Sequence, residues 1–513
     1  MSAPRRFEIV TTPNRIVRQG LTLVGLILLL GGSGMDSLAA QEGGGRDCGK
    51  LVTEYVGKKE FQKALTTCNQ CLEQSPAAVN LLCLRVQIHY HMGNLNKAMT
   101  EANDLVRRFP SYAGGYTTRA EVHFRAGAYA KALKDVEQGL KLDGAYAQGY
   151  TLRGKINIVL NRPENAMLDL SMAAELDPND PSAFFNRAVL HVSKKRYEEA
   201  TADLTKVLKL DPEDHHARVE RAVQYGKLGQ YEKMVDDCTL VLEKMQSEPA
   251  VYHTRGEGYA NLGEKDKAIA DFSQVIALAP SDFRGWVARA LVHRKAAELK
   301  EAISDLATAI KLRPDDWELY STRGELYSEL RDGENALADA SRALKLRSNR
   351  AELYANRGNA RHLLGQSDQA LADLNKALEM APKSPFIYNS RGNFYRDLGK
   401  RDLAIADFIK VAELDPSIGL AYSNVALVYL DAGEAEKALP YATKACEVSN
   451  WQNAFCLDVL ARVCLPLGQF AEGLKWQRKV FELGGLPPIC LPDAQKRLAE
   501  FEQKAGAGAE TAR

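Results

Sequence analysis

A chain of 513 residues, 45% of them hydrophobic, has the length of about three ordinary domains and enough apolar side chains to bury a core. Its 67 basic and 66 acidic residues leave a formal charge of +1. That balance excludes a phosphate-tracking surface or a strongly polybasic membrane patch, both of which need clustered Lys and Arg.

At the N-terminus, Arg5, Arg6, Arg15 and Arg18 precede the apolar run from Leu21 to Leu30, followed by Gly-Gly-Ser-Gly and the small residues Ala39 and Ala40. Basic, apolar, then small is the layout of a secretory signal peptide. The run is shorter than the roughly 20 residues of a full membrane span. Residues 1–40 therefore read as a signal peptide, with an uncleaved N-terminal anchor as the alternative, and 41–46 as a glycine-rich linker.

From there a single frame governs residues 47–486. Arginine recurs at 85, 119, 153, 187, 221, 255, 289, 323, 357 and 391, always 34 residues apart. Alanine recurs in the same frame from Ala64 to Ala438, with Met234 in its place once. In the stretch 385–418, Tyr388, Arg391, Gly392 and Tyr395 fall on one helical face, as do Ala404, Phe408 and Val411 after Gly399. Each unit is thus two amphipathic helices joined by a turn and stopped by a proline such as Pro416. Thirteen such units fit between about residue 45 and 486. The first has Val52 where a small residue belongs, and the last has Leu460 and Glu472 at the two small positions, as terminal units with one neighbour do. Residues 487–505 are expected to form a capping helix, and 506–513 a disordered tail.

The order Tyr-x2-Arg-Gly-x2-Tyr, Ala-x3-Phe and Pro within one period resembles the tetratricopeptide repeat, with Arg391 where that family usually has leucine. The resemblance implies an all-α superhelix of antiparallel helix pairs. It also implies a concave surface lined by the first helix of each pair, which holds a partner protein or an extended peptide. Directly before the arginines stand Thr118, Asn186, Thr254, Thr322, Asn356, Ser390 and Asn424, and two residues after them Glu257, Glu325, Asn359 and Asn393. With Asn389 and Arg396, these are the candidate groove residues, set against the plainer reading that they are solvated side chains. The family's carboxylate clamp needs lysine two residues before the arginine, and no repeat supplies one.

Nine repeats join the arginine to an aspartate in the second helix, from Arg119 with Asp135 to Arg391 with Asp407. This predicts an interhelical ion pair; a ladder gripping an anion is the functional alternative. His89, His123, His191 and His293 occupy the packing position of Tyr395. No zinc-like spacing, nucleotide loop or catalytic triad stands out, so no metal, cofactor or nucleic acid is expected, nor an enzyme. Cysteines cluster at the ends: Cys48, Cys68, Cys71 and Cys83, then Cys446, Cys456, Cys464 and Cys490. In an exported chain these are candidate disulfides stapling the terminal repeats, with Cys238 a free buried thiol. The expectation is an exported, periplasmic or secreted non-catalytic scaffold, with a subunit of a cell-envelope enzyme or export complex as the alternative.

Overall fold

The computed structural model describes residues 46–486 and 490–510, all of them helix or connecting turn. The expected signal peptide, the linker to residue 45 and residues 511–513 lie outside the described residues. Twenty-seven helices pair in sequence, and they fall into two units that meet between Ala279 and Pro280.

The first unit contains seven pairs: α1 (Arg46–Gly57) with α2 (Phe61–Gln74), α3 (Val79–His91) with α4 (Leu95–Arg108), α5 (Ala113–Arg125) with α6 (Tyr129–Leu142), α7 (Ala147–Val159) with α8 (Pro163–Leu176), α9 (Pro181–Ser193) with α10 (Tyr197–Leu210), α11 (His215–Lys227) with α12 (Tyr231–Leu242), and α13 (Pro249–Leu262) with α14 (Lys265–Leu278). The second holds α15 (Phe283–Lys295) with α16 (Leu299–Leu312), α17 (Trp317–Glu329) with α18 (Gly333–Leu346), α19 (Ala351–Leu363) with α20 (Ser367–Met380), α21 (Pro385–Asp397) with α22 (Arg401–Leu414), α23 (Gly419–Asp431) with α24 (Ala435–Val448), and α25 (Ala454–Cys464) with α26 (Phe470–Leu483), closed by α27 (Leu491–Glu510). Within each unit, every second helix packs on its own first helix and on the first helix of the next pair, the stacking of an all-α superhelix.

The α21–α22 pair shows why these residues form this unit. Pro385 opens α21, where its missing amide costs nothing, and Gly399 turns the chain at φ 69°. Asp415-Pro416 ends α22. Between the helices Gly392 faces Phe408, which is fully buried; a Cβ on Gly392 would stand 2.7 Å from the Phe408 ring. The same match recurs as Gly256 on Phe272 and Gly154 on Leu170, while Ala120, Ala222 and Ala290 face the smaller Val136 and Cys238 and the leucine Leu306. Both phenylalanines at this position are met by glycine, because a Cβ there would run into the ring.

The expected ion pair forms in all nine repeats. Arg391 Nε and Nη2 each donate to one Asp407 oxygen at 2.8 Å, and its Nη1 donates to Asn375 Oδ1 of the preceding second helix at 2.7 Å. Asn103, Ser171, Thr205 and Thr239 receive the third arm of Arg119, Arg187, Arg221 and Arg255 in the same way. These five arginines thus tie three helices each, and the nine aspartates are all under a tenth exposed. Tyr388 and Tyr395 flank Arg391 with ring centroids 5.8 and 5.7 Å from the guanidinium carbon. In the second pair Glu101 replaces the aspartate beside Arg85 at 2.9 Å.

The thirteenth pair corrects one expectation. It has not lost its small residues; its frame is shifted by one. Ala461 and Gly473 are buried where Leu460 and Glu472 were expected to stand, and its turn glycine is Gly468, 35 residues after Gly433. The extra residue is absorbed before α25, where Asn450 and Trp451 adopt φ 49° and 58° in succession. Phe501 of α27 then fills the space left by Gly473, and Arg497 of α27 pairs with Asp458, which is fully buried and also bonded by Arg462 and Gln477. Helix α27 runs on to Glu510, through the stretch expected to be a tail.

The cysteines are also corrected in part. Cys48 and Cys71 are joined, tying α1 to α2. Cys68, Cys83, Cys446, Cys456, Cys464 and Cys490 are free thiols, as is Cys238. All but Cys490 are buried and serve as small apolar core residues. Burial pushes the Cys68, Cys83, Cys238 and Cys446 thiols up to about 12, which removes the thiolate needed for exchange.

Two outcomes are expected. Gly392→Ala should destabilise the protein by about 1–3 kcal/mol despite alanine's better helix propensity, and adding Phe408→Leu should recover part of that loss in a double-mutant cycle read by denaturant unfolding. The second concerns pH. His89, His123 and His191 lie 3.5 to 3.8 Å from carboxylates already held by arginine, and burial lowers their pKa. A lowered histidine pKa means the unfolded chain binds more protons, so this stability is full above about pH 6.5 and falls as pH drops below it. Hydrogen-exchange protection in α3 to α10, taken relative to the intrinsic rate at each pH, should fall at pH 5, and replacing the three histidines by tyrosine should flatten that dependence.

Candidate functional site

Repeat-to-repeat packing consumes the arginine, the small residue and the inner face of the second helix. It leaves the outer face of the first helices free, and the two units furnish that face differently.

In the second unit this face is polar and bonded to itself. Asn356 Nδ2 donates to Ser321 Oγ at 3.1 Å and to Glu325 Oε1 at 3.2 Å, joining α19 to α17. Glu325 also receives Arg294 of α15 at 3.1 Å. Asn359 donates to Ser390 at 3.3 Å, His362 meets Asp397 at 3.0 Å, and Asn424 of α23 donates to Asn389 at 2.8 Å. The hydrogen bond from His362 holds the Asp397 carboxyl below its ordinary range. Arg396 also leans on Asp397, at 3.4 Å. Asn393 is half-exposed.

Several candidate groove residues are therefore not exposed. Thr118, Asn186, Thr322, Ser390 and Asn424 are all under a tenth exposed. The position just before the arginine lies in the seam between successive first helices, where Leu84 and Leu152 are buried as well. Asn186 there donates to the Ser182 carbonyl at 2.7 Å, and Thr254 to the Ala250 carbonyl at 2.9 Å, each on its own helix. Glu257 is exposed, 3.8 Å from His253. The structure thus groups Glu325 with Asn356, Asn359 with Ser390, and Asn389 with Asn424 and leaves Asn186, Thr254 and Glu257 apart on the first unit.

On the first unit the position two after the arginine carries Gln87, Glu121, Lys155, Val189 and Val223 on five consecutive first helices. Gln87 Nε2 donates to Glu121 Oε2 at 3.5 Å, and Tyr112 to Asn80 Oδ1 at 3.2 Å. Desolvation raises the Glu121 carboxyl and lowers the Lys155 ammonium, the mutual attraction of the two opposing it. Glu220 of α11 is raised for the same reason, with His216 opposing. Ile158, Val189, Val192 and Val223 are half-buried beside them. Glu121 and Lys155 stand at the offset that singles out Glu257, Glu325, Asn359 and Asn393, so the repeat frame could have found them, whereas their desolvation depends on the neighbouring first helices. Among the described residues no group of three or more His, Cys, Asp or Glu is placed to hold a metal ion, and no helix is long and apolar enough to cross a membrane.

Models of the tetratricopeptide repeat match residues 117–181, 181–214, 249–282, 351–384 and 387–418. No protein of curated function matches the chain. Among solved structures it is similar to the APC/C hetero-tetramer Cut9-Hcn1, at 16% identity over 85% of this chain and 98% of that one, with a TM-score of 0.39. Yeast Tom70 is similar at 14% identity over 84% and 96%, with a TM-score of 0.46. TTC0263, a thermophilic TPR protein in Thermus thermophilus, is similar at 25% identity over 34% and 95%, with a TM-score of 0.32.

The two polar positions should separate in stability. Asn356→Ala, which strips Ser321 and Glu325 of a partner, should cost about 1 kcal/mol, whereas Asn393→Ala should stay within about 0.5 kcal/mol of the parent in denaturant unfolding.

Proposed function

Because the chain is a tetratricopeptide-repeat protein of many repeats, we propose that it is a non-catalytic scaffold holding a partner protein or an extended peptide against its first helices. The observation that carries this is the division of labour within each repeat. The arginine, the small residue and the inner face of the second helix are spent on stacking, which leaves the first-helix face as a long surface with polar and apolar side chains in a repeating order. An extended chain meets such a surface with regularly spaced side chains and backbone groups, and it needs no deep cavity.

Export belongs to the same proposal. Its supports are the basic, apolar and small segments of residues 1–40 and the Cys48–Cys71 bond, which suits a periplasmic or extracellular setting.

Crosslinking in the native compartment tests the scaffold reading. A partner joined to first-helix residues is expected, and a crosslink map confined to second helices would reject the face. Within the second unit, Asn393→Arg should weaken capture of a partner bound there by about tenfold while helix content, read by circular dichroism, is unchanged.

A further inference from the structure

We propose that the first-helix face of the 46–279 unit holds an extended partner segment whose acidic side chain pairs with Lys155, while flanking apolar side chains lie against Ile158, Val189 and Val192. The proposal rests on the scaffold reading and deepens it by naming the face and the chemistry of the segment.

The argument is one of unmet demand. In the second unit Asn356, Asn359, Asn389, Asn424 and Glu325 already hydrogen-bond from helix to helix, so a ligand there would only exchange one bond for another. Lys155 is different. It is half-buried with its ammonium still reached by solvent, and that ammonium makes no hydrogen bond or ion pair with any described residue. Its nearest anions act on it only at a distance: Glu121, occupied by Gln87 at 3.5 Å, and Asp180, whose carboxylate accepts the Ser182 amide and caps α9 at 2.9 Å. A desolvated cation without a partner is a costly arrangement that a carboxylate relieves. Burial lowers the pKa of Lys155, and a carboxylate docked beside it would oppose that shift as Glu121 and Asp180 already do in part.

The neighbouring helices define the rest of the segment. Val189 and Val223 occupy the offset of Lys155 on α9 and α11, and Ile158 and Val192 lie one turn further along α7 and α9. All are half-buried, so an apolar side chain laid over them loses water-exposed area at both surfaces. An all-polar peptide would forgo that gain. A basic residue at the Lys155 position would meet like charge.

The test uses the full chain and fluorescein-labelled dodecapeptides of Val and Leu bearing one central Asp, with Asn and Lys counterparts, read by fluorescence anisotropy. The Asp peptide should bind at least about tenfold tighter than the Lys peptide, and Lys155→Glu should reverse that order. Equal affinity for the Asp, Asn and Lys peptides, or an order unmoved by Lys155→Glu in a variant of unchanged helix content, overturns the proposal. A composition-randomised peptide panel separates the two levels of argument. Binding that Asn393→Arg abolishes and Lys155→Glu spares rejects this face but keeps the scaffold reading. No binding by any peptide, together with no crosslinked partner, rejects both.

Discussion

The three-way arginine bracket is the constraint on which the rest of this structure depends. A planar guanidinium offers two parallel donors to one carboxylate and a third to another acceptor, so each arginine fixes its own second helix, and Arg119, Arg187, Arg221, Arg255 and Arg391 fix the preceding one as well. Buried ion pairs contribute little net free energy, because desolvation offsets their attraction. Their value here is geometric: a slip of either helix by one residue would leave a buried aspartate such as Asp271 or Asp407 uncompensated, at a cost of about 3–5 kcal/mol.

That constraint decides where the exceptions fall. The bracket is missing from the terminal pairs, and those are the places with other fasteners: a disulfide between α1 and α2, and the Asp458 cluster with Phe501 under α27. The one-residue insertion occurs before α25, beyond the last bracketed repeat, where no arginine and aspartate have to meet. Two consecutive left-handed residues, one a tryptophan, are tolerated there because Trp451 stacks on Trp476 with ring centroids 4.7 Å apart.

The bracket also frees the first-helix face from structural duty, and the two units use that freedom in opposite ways. One face satisfies its own polar groups from helix to helix. The other leaves Lys155 without an ion-pair partner and Val189, Val192 and Val223 only partly covered. Polar residues alone are therefore a poor guide to a binding face: a buried, fully bonded asparagine such as Asn424 resembles a ligand-reading one in every respect visible along the chain.

By itself, the sequence determined the period, the helix pairs, the nine ion pairs and the packing role of the histidines, because each depends on residues at fixed offsets within one repeat or its neighbour. It located the turn wherever glycine stood, but the same left-handed conformation at Lys59, Asn161, Lys195, Ala297 and Arg331 follows from the fold, which holds φ positive there without glycine. Only the tertiary structure decided which polar side chains lie in the seam, which cysteines pair, where the last repeat shifts frame and which face is left unsatisfied. Those outcomes turn on how closely successive first helices approach and on what each atom finds within hydrogen-bonding reach, and neither quantity is periodic in the residues.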